Sequence, residues 1–425
     1  MTTDPQNSRS TYGRSRSRRA LALAAAALLA VGVAAPASAA ATTRTTTAAD
    51  SAATPTTGRG ALLSVTPLER LSTAQLTAFA GNFGVDTGTV RHGITAYRLT
   101  YRTVTPQGAP TTATGLFVLP QGGPRRLAVV SDTHGTMVHR DYAPSTAEDF
   151  GKLSPYLQSS AGRAVAAPDY LGLGLGPGLH PYMDTRSAVS ASLDLLRAAD
   201  EAGRRLGRPL TGDVYATGFS QGGQVAMALG RELARISDRH LRLRGLAPVA
   251  GPHDVRGAEL PGILDGRVDE RSAVFYLSYY LTAANRLHPL YRDPSEVFRA
   301  PYAAVVEGLF DTRHTEEEVV AALPGTVREL LTDSFHDQLG APGPGLSAAL
   351  DATDGGCDWR PAAPVRLYAA NGDRDVPIAN SRSCAADLAK HGVRAAVLDQ
   401  GPVGHFDTLR LATPQIIRWF DALDR

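Results

Sequence analysis

Ser220 is the residue of this chain whose surroundings most favour a chemical role. It is the centre of the sequence Gly218-Phe-Ser-Gln-Gly222, which follows a short β-prone run and precedes a helix-prone run. In this arrangement, a nucleophile elbow, the two glycines permit a tight turn that exposes the serine hydroxyl. Because the chain contains 42 glycines, the motif alone also arises by chance, so its interpretation depends on residues downstream.

A serine hydroxyl is a weak nucleophile at neutral pH, so it requires a base and a carboxylate that orients the base. His405 is the candidate base because it follows the last predicted strand and opens the last predicted helix. The alternative is a histidine that only caps or packs there. The histidines form no His-x-x-x-His or His-Glu-x-x-His pattern, so the sequence favours no metal site. We expect no cofactor.

Two aspartates compete for the role of the acid, Asp373 and Asp375, in the turn after a predicted strand. Counting from Pro364, which opens that strand, favours Asp373. A Gly-x-x-Asp frame that begins at Gly372 selects Asp375 instead. We expect the other aspartate to cap the turn by accepting hydrogen bonds from local N–H groups.

An oxyanion hole would need two backbone donors. The N–H of Gln221 is the first, because it directly follows the candidate nucleophile. The second is expected after the predicted strand Leu127–Ser131, where the N–H of Thr136 is favoured and that of Met137 is the alternative. A plain glycine turn is the competing interpretation of this segment.

The elements that must position these residues form a pattern of strands and helices. An alternating pair of runs predicts an antiparallel hairpin, Ala96–Val104 and Thr111–Leu119. Short apolar runs then alternate with amphipathic segments, which predicts a mostly parallel sheet covered by helices on both faces. The predicted strands are Leu127–Ser131, Arg163–Ala167, Val214–Thr217, Leu246–Ala250, Val365–Ala370 and Ala395–Leu398. The predicted helices are Thr185–Leu206, Gly223–Ile236, Ser381–Lys390 and Thr408–Leu423.

Composition divides the chain into five parts. Residues 1–39 have a basic start, a short apolar stretch and an Ala-Ser-Ala sequence at the end, which predicts a signal peptide and a secreted protein. Residues 40–60 read as a flexible leader. The core is predicted in two pieces, 61–250 and 362–425, and the alternation stops between them, so that 251–361 is predicted to be an inserted helical cap.

Charge and cysteine content limit the function classes further. Ser17-Arg-Arg-Ala-Leu21 resembles a twin-arginine export signal, but arginine is common throughout this chain. Without residues 1–39 the formal charge falls from +2 to near −2, so neither nucleic acid nor a stable membrane anchor is expected. In an exported protein, Cys357 and Cys384 favour one disulfide over two buried thiols.

The initial hairpin and the sheet pattern resemble the α/β-hydrolase fold, and the motifs resemble its secretory-lipase and serine-esterase branch. The shared features are the His134-Gly turn, the Pro168-Asp-Tyr segment, the elbow and the closing Gly404-His-Phe-Asp. The resemblance implies that His134, Asp169 and Tyr170 lie at or near the active site; the alternative is that Asp169 and Tyr170 only brace the loop. Its Asp-x-x-Val-Pro pattern selects Asp373 as the acid. The cap matches no motif of that branch.

The sequence therefore predicts a secreted serine hydrolase of carboxylic esters that uses Ser220, Asp373 and His405, with a small-molecule or lipid ester as substrate. An acyltransferase or a serine peptidase with the same three residues is the alternative enzyme. A non-catalytic binding protein of the same fold is the alternative outside enzymes. Acyl chain length and oligomeric state are left open by the sequence.

Overall fold

The structure is a computed structural model, which describes residues 58–236 and 240–425. The predicted signal peptide and residues 40–57 of the predicted leader lie outside the described residues. Among the described residues, no helix is both long and apolar enough to span a bilayer.

One nine-stranded sheet runs through the described part of the chain. Its spatial order is β1-β2-β3-β5-β4-β6-β7-β8-β9. The neighbouring pairs β1–β2, β2–β3 and β3–β5 are antiparallel, whereas all later pairs are parallel. The strands are β1 Leu62–Leu71, β2 Ile94–Val104, β3 Pro110–Pro120, β4 Leu127–Thr133, β5 Ala164–Pro168, β6 Leu210–Phe219, β7 Arg242–Val249, β8 Arg366–Ala369 and β9 Ala396–Asp399.

The α-helices of the described residues are α1 Thr73–Asn82, α2 Leu153–Ser160, α3 Thr185–Arg205, α4 Gln221–Arg235, α5 Leu260–Leu264, α6 Glu270–Asn285, α7 Val306–Leu309, α8 Glu316–Ala322, α9 Val327–Leu330, α10 Asp333–Gly340, α11 Pro344–Thr353, α12 Ala379–Lys390 and α13 His405–Leu423. A π-helical turn covers Val255–Glu259. Short 3-10 helices cover Thr87–Thr89, Arg140–Tyr142, Phe150–Lys152, Pro294–Glu296 and Tyr302–Ala304.

Alternate residues of the central strands belong to two different hydrophobic clusters, because side chains along a strand point to opposite faces. Phe117 and Val129 pack with residues of α3 and α4. Their neighbours Val118 and Val130 pack with residues of α1, α2 and α13. Both faces are therefore covered by helices, as the apolar character of the strands predicts.

The segment predicted to be a cap, 251–361, contains α5 to α11 and contributes no strand to the sheet among the described residues. It has a hydrophobic cluster of its own, to which α6 contributes most of its length. Tyr182 and Met183, from the loop before α3, join this cluster. The insertion thus packs onto the loops at the carboxyl ends of the parallel strands.

The predicted disulfide is confirmed: Cys357 is bonded to Cys384. The bond joins the segment before β8 to α12, and both sulfur-bearing residues are almost fully buried. It therefore brackets the turn that contains both candidate acids.

Candidate active site

The backbone at Ser220 has the sharp turn that the sequence predicts. Ser220 has φ of 57°, a left-handed conformation that is uncommon for a residue other than glycine, and it lies between β6 and the first residue of α4. A Cβ at Gly218 would collide with the Thr133 hydroxyl, and a Cβ at Gly222 would collide with the Thr133 carbonyl. Only glycine fits at these two positions, because β4 passes directly beside the turn.

His405 and Asp373 form a buried pair. The Nδ1 atom of His405 lies 2.7 Å from Oδ2 of Asp373, and both side chains are almost fully enclosed. The Nε2 atom of His405 is buried and has no hydrogen-bond partner among the described residues. One ring nitrogen is therefore oriented by the carboxylate, while the other is free to exchange a proton.

The two competing aspartates make different contacts. The Oδ1 atom of Asp373 accepts hydrogen bonds from the N–H groups of Asp375 and Val376, each at 2.9 Å. Asp375 instead accepts a hydrogen bond of 3.1 Å from the Tyr276 hydroxyl of α6. The sequence predicts that one aspartate pairs with the histidine and that the other caps the turn. In the structure, Asp373 does both. Asp375 faces the insertion.

The candidate oxyanion donors lie on either side of Ser220. Gln221 is the first residue of α4, and the first N–H groups of a helix have no acceptor within the helix. A Cβ on Gly135 would lie 3.2 Å from Cβ of Ser220, so the chain just before Thr136 passes close to the serine. The Thr136 hydroxyl is 2.8 Å from that of Tyr182, which fixes this loop against the loop before α3.

Of the three residues expected at or near the active site, one lines a cavity and two lie behind it. His134 lines the larger of the two cavities described below, and burial lowers its pKa to about 4, so it is uncharged. Its Nε2 is 3.2 Å from the Asp169 carbonyl, and its ring packs on that of Tyr170. Asp169 itself is buried and accepts hydrogen bonds from Thr114 and Ser145. Asp169 and Tyr170 thus lie behind His134 and support it, and neither lines these cavities.

Two cavities meet at Ser220, and we name them by size. The small cavity has a volume of about 60 Å³ and the large cavity one of about 610 Å³. Ser220, Thr136, Tyr276 and Asp375 line both. Gln221 lines only the small cavity, whose apolar walls include Met183, Val255, Leu260, Ile263, Leu277 and Val376. His405 lines only the large cavity, together with aromatic and acidic side chains such as Phe219, Phe406, Asp132, Asp149, Glu316 and Glu317.

Two carboxyl groups on the cavity walls have strongly raised pKa values. Burial raises the pKa of Asp132 to about 7, although the Ser154 hydroxyl donates a hydrogen bond to it. Burial also raises the pKa of Glu259 to about 8. Both groups can therefore hold a proton near neutral pH, unlike an exposed carboxylate.

Several of these wall residues are not among the sequence-predicted site residues. Tyr182, Glu259 and Tyr276 come from segments with no motif, and only the folded chain brings them beside Ser220. A weak signal exists for Glu259, which is the single charged residue in the apolar run Ala258–Leu264. The tyrosine-rich stretch of α6 lines the small cavity and also packs in the hydrophobic cluster of the insertion.

Solved structures similar to this chain are hydrolases. A putative hydrolase from Legionella pneumophila has a TM-score of 0.79 and 24% identity, over 86% of this chain and 98% of that one. The rice cell wall degrading esterase LipA from Xanthomonas oryzae has a TM-score of 0.76 and 25% identity, over 85% and 98%. Candida antarctica lipase A has a TM-score of 0.59 and 16% identity, over 82% and 78%.

No family model matches the chain, and no curated protein sequence matches it. The fold and the similar structures agree with the resemblance that the motifs predict. The chain has the α/β-hydrolase fold and resembles the esterase and lipase branch of that superfamily.

Proposed function

We propose that this hydrolase cleaves carboxylic esters through an acyl-enzyme formed on Ser220. The observation that supports the proposal most is the buried pair of His405 and Asp373 at 2.7 Å. The unpartnered Nε2 of that histidine is in the wall of the cavity that Ser220 also lines. In the proposal, Ser220 is the nucleophile, His405 is the base and Asp373 is the carboxylate that orients the base.

In the first half of the proposed reaction, the Ser220 oxygen attacks the ester carbonyl while Nε2 of His405 accepts its proton. Asp373 stabilises the imidazolium that forms, and its contact with Nδ1 keeps the ring in the orientation that presents Nε2. The N–H groups of Gln221 and Thr136 are the proposed donors to the oxyanion. His405 then donates the proton to the leaving alkoxide, and the acyl group stays on Ser220.

In the second half, water takes the place of the alcohol. His405 accepts a proton from the water, which attacks the acyl-enzyme, and the acid is released as Ser220 regains its proton. The sequence of steps uses one base twice, so no metal ion or organic cofactor takes part in the proposed chemistry. Small-molecule esters are the proposed substrates, since similar structures include an esterase and a lipase.

We also propose that the protein is exported. The basic and apolar pattern of residues 1–39 supports this, and the disulfide is of the kind that persists in an oxidising compartment. Expression of the full chain should release a mature protein that begins after residue 39. An N-terminal sequence of the protein in the culture medium tests this directly, and retention of intact chain in the cytosol would contradict it.

The direct test of the proposed activity is the hydrolysis of p-nitrophenyl esters from acetyl to palmitoyl by the mature protein. Ser220→Ala should lower turnover by several orders of magnitude. Ser334→Ala, an exposed serine in α10 that lines neither cavity, is the matched control and should keep normal turnover. Near-normal esterase activity of Ser220→Ala would reject the proposal, and wild-type inactivity on all esters would redirect it to peptides, acyl transfer or a binding role.

A further inference from the structure

Given the proposed function, the residues that line each cavity indicate which part of the ester it binds, the acyl group or the alcohol. His405 must reach the leaving oxygen to protonate it, and it lines only the large cavity. The alcohol part of the ester therefore occupies the large cavity. The acyl carbonyl lies beside the proposed oxyanion donor Gln221, which lines only the small cavity, so the acyl group is assigned to that cavity.

The small cavity accepts only a short acyl group. Its volume is about 60 Å³, against about 610 Å³ for the large cavity. Since one water-sized group already needs at least about 10–15 Å³ of such space, the small cavity holds only a few of them. Leu260, Ile263 and Leu277 form part of its wall and belong to, or pack against, the hydrophobic cluster of the insertion.

Glu259 is a polar group in this otherwise largely apolar wall. Its Oε2 atom accepts a hydrogen bond of 2.6 Å from the side-chain amide of Asn380. Its other oxygen, Oε1, has no hydrogen-bond partner among the described residues, and the side chain lines the small cavity. Oε1 is accessible to solvent and not sealed inside the fold, so a ligand in the small cavity can replace water as its partner.

The surroundings of Glu259 determine which partner fits. The carboxylates of Asp373 and Asp375 add to the effect of burial in raising its pKa, while the Asn380 amide and the Arg267 cation lower it. The resulting pKa of about 8 leaves the group mainly protonated at neutral pH. A neutral carboxyl group can donate one hydrogen bond and accept another, and a hydroxyl group is the simplest partner that does both.

We propose that Glu259 is a specificity-determining residue, and that the protein prefers esters of short acids that carry a hydroxyl group on the acyl chain. An acyl group that ends in a carboxylate is disfavoured, because Asp375 also lines the small cavity and no cationic side chain does so in the described part of the chain. A hydroxyl group that pairs with Glu259 makes a hydrogen bond that the analogue without the hydroxyl cannot make, and this favours the hydroxy ester.

The test compares ethyl esters of butanoic, 2-hydroxybutanoic, 3-hydroxybutanoic and 3-aminobutanoic acid, with acid release followed at pH 7. For the wild type, kcat/KM for one of the hydroxy esters should exceed that for butanoate by about tenfold or more. Glu259→Leu should abolish or reverse this ratio. Glu259→Gln keeps a donor and an acceptor and should retain most of the preference.

Glu232→Leu is the matched control, because Glu232 pairs with Arg235 near the end of α4 and lines neither cavity. It should leave the ratio unchanged. The inference would be overturned if the ratio of kcat/KM for the hydroxy ester to that for the butanoate ester were equal in the wild type and Glu259→Leu. A wild-type preference for the butanoate or the 3-aminobutanoate ester would also overturn it. If Ser220→Ala kept esterase activity, the proposed function itself would fail. If Ser220→Ala were inactive while Glu259→Leu left the ratio unchanged, only this inference would fail.

Discussion

At the scale of single residues, the two neighbouring aspartates have separate roles in the proposed site. Asp373 accepts hydrogen bonds from two backbone N–H groups and also contacts His405. Its orientation is thereby determined before any substrate binds. Asp375 contacts Tyr276 of the insertion instead, so it acts on the cavity wall and not on the base.

This difference predicts unequal effects of the same substitution. Asp373→Asn should lower kcat by about 10⁴-fold, because the amide no longer holds the histidine in the required tautomer. Asp375→Asn removes one hydrogen bond to a tyrosine and should cost roughly tenfold or less. Steady-state hydrolysis of p-nitrophenyl butyrate measures both, with Ser334→Ala as the folding control. A larger loss in Asp375→Asn would assign the acid to the other aspartate.

The raised pKa of Glu259 predicts a dependence of stability on pH. The ordinary pKa is 4.5 and the pKa in the fold is about 8, so between these values the folded state holds a proton that the unfolded state has lost. The contribution of this group to the free energy of unfolding is present below about pH 4.5 and is lost as the pH rises through about 8. Glu259→Gln lacks this dependence, and its free energy of unfolding relative to wild type should rise by on the order of 1–3 kcal/mol between pH 5 and 8. Urea unfolding at the two pH values measures this difference, and a constant difference would contradict the assignment.

At the scale of elements, the disulfide connects two sides of the acid loop. It joins residues 27 positions apart and encloses the loop after β8 that contains Asp373. Its removal frees the unfolded chain more than the folded one.

The double variant Cys357→Ser/Cys384→Ser should therefore unfold with a free energy lower by about 3–4 kcal/mol, from the entropy of closing a loop of this length. Denaturant unfolding of the oxidised wild type and the variant gives this value. Equal stability would show that the bond contributes nothing beyond the packing around it.

The strands from β2 onwards and the helices α3, α4, α12 and α13 follow from the sequence, because apolar runs and amphipathic runs alternate there with clear periods. The strand β1 does not follow in this way. Its sequence Leu62–Leu71 contains Pro67 and several polar side chains, and as the edge strand it is partly exposed. The helices α1 and α2 are short, with 10 and 8 residues. Pattern alone does not separate such elements from loops.

The residues of the site likewise divide into those that the sequence predicts and those that it does not. Ser220 and His405 are predictable because each occupies a fixed place between a strand and a helix, and the turn of Asp373 follows a strand. The choice between two aspartates two positions apart depends on the path of the turn, which the sequence does not specify. Glu259 and Tyr276 of the insertion meet Tyr182 of the loop before α3 only through tertiary packing, and no local pattern encodes that contact.

At the scale of the whole molecule, the insertion and the core together define two cavities of very different volume beside Ser220. We therefore expect the protein to accept only short acyl groups but alcohols of many lengths. In a p-nitrophenyl series, kcat/KM should fall about tenfold or more between the butyryl and the octanoyl ester. In a series of acetate esters, lengthening the alcohol from ethyl to octyl should have a much smaller effect. The reverse pattern would exchange the two assignments.

The central claim is that Ser220 carries the acyl group, and the most direct measurement is to observe that bond. The mature protein is mixed with excess p-nitrophenyl butyrate, quenched in acid within milliseconds, and digested for mass spectrometry. The account predicts a butyryl adduct on the peptide that contains Ser220, a burst of nitrophenol equal to the enzyme concentration when deacylation limits turnover, and neither signal in Ser220→Ala. An adduct on another residue, or full turnover in Ser220→Ala, would contradict it.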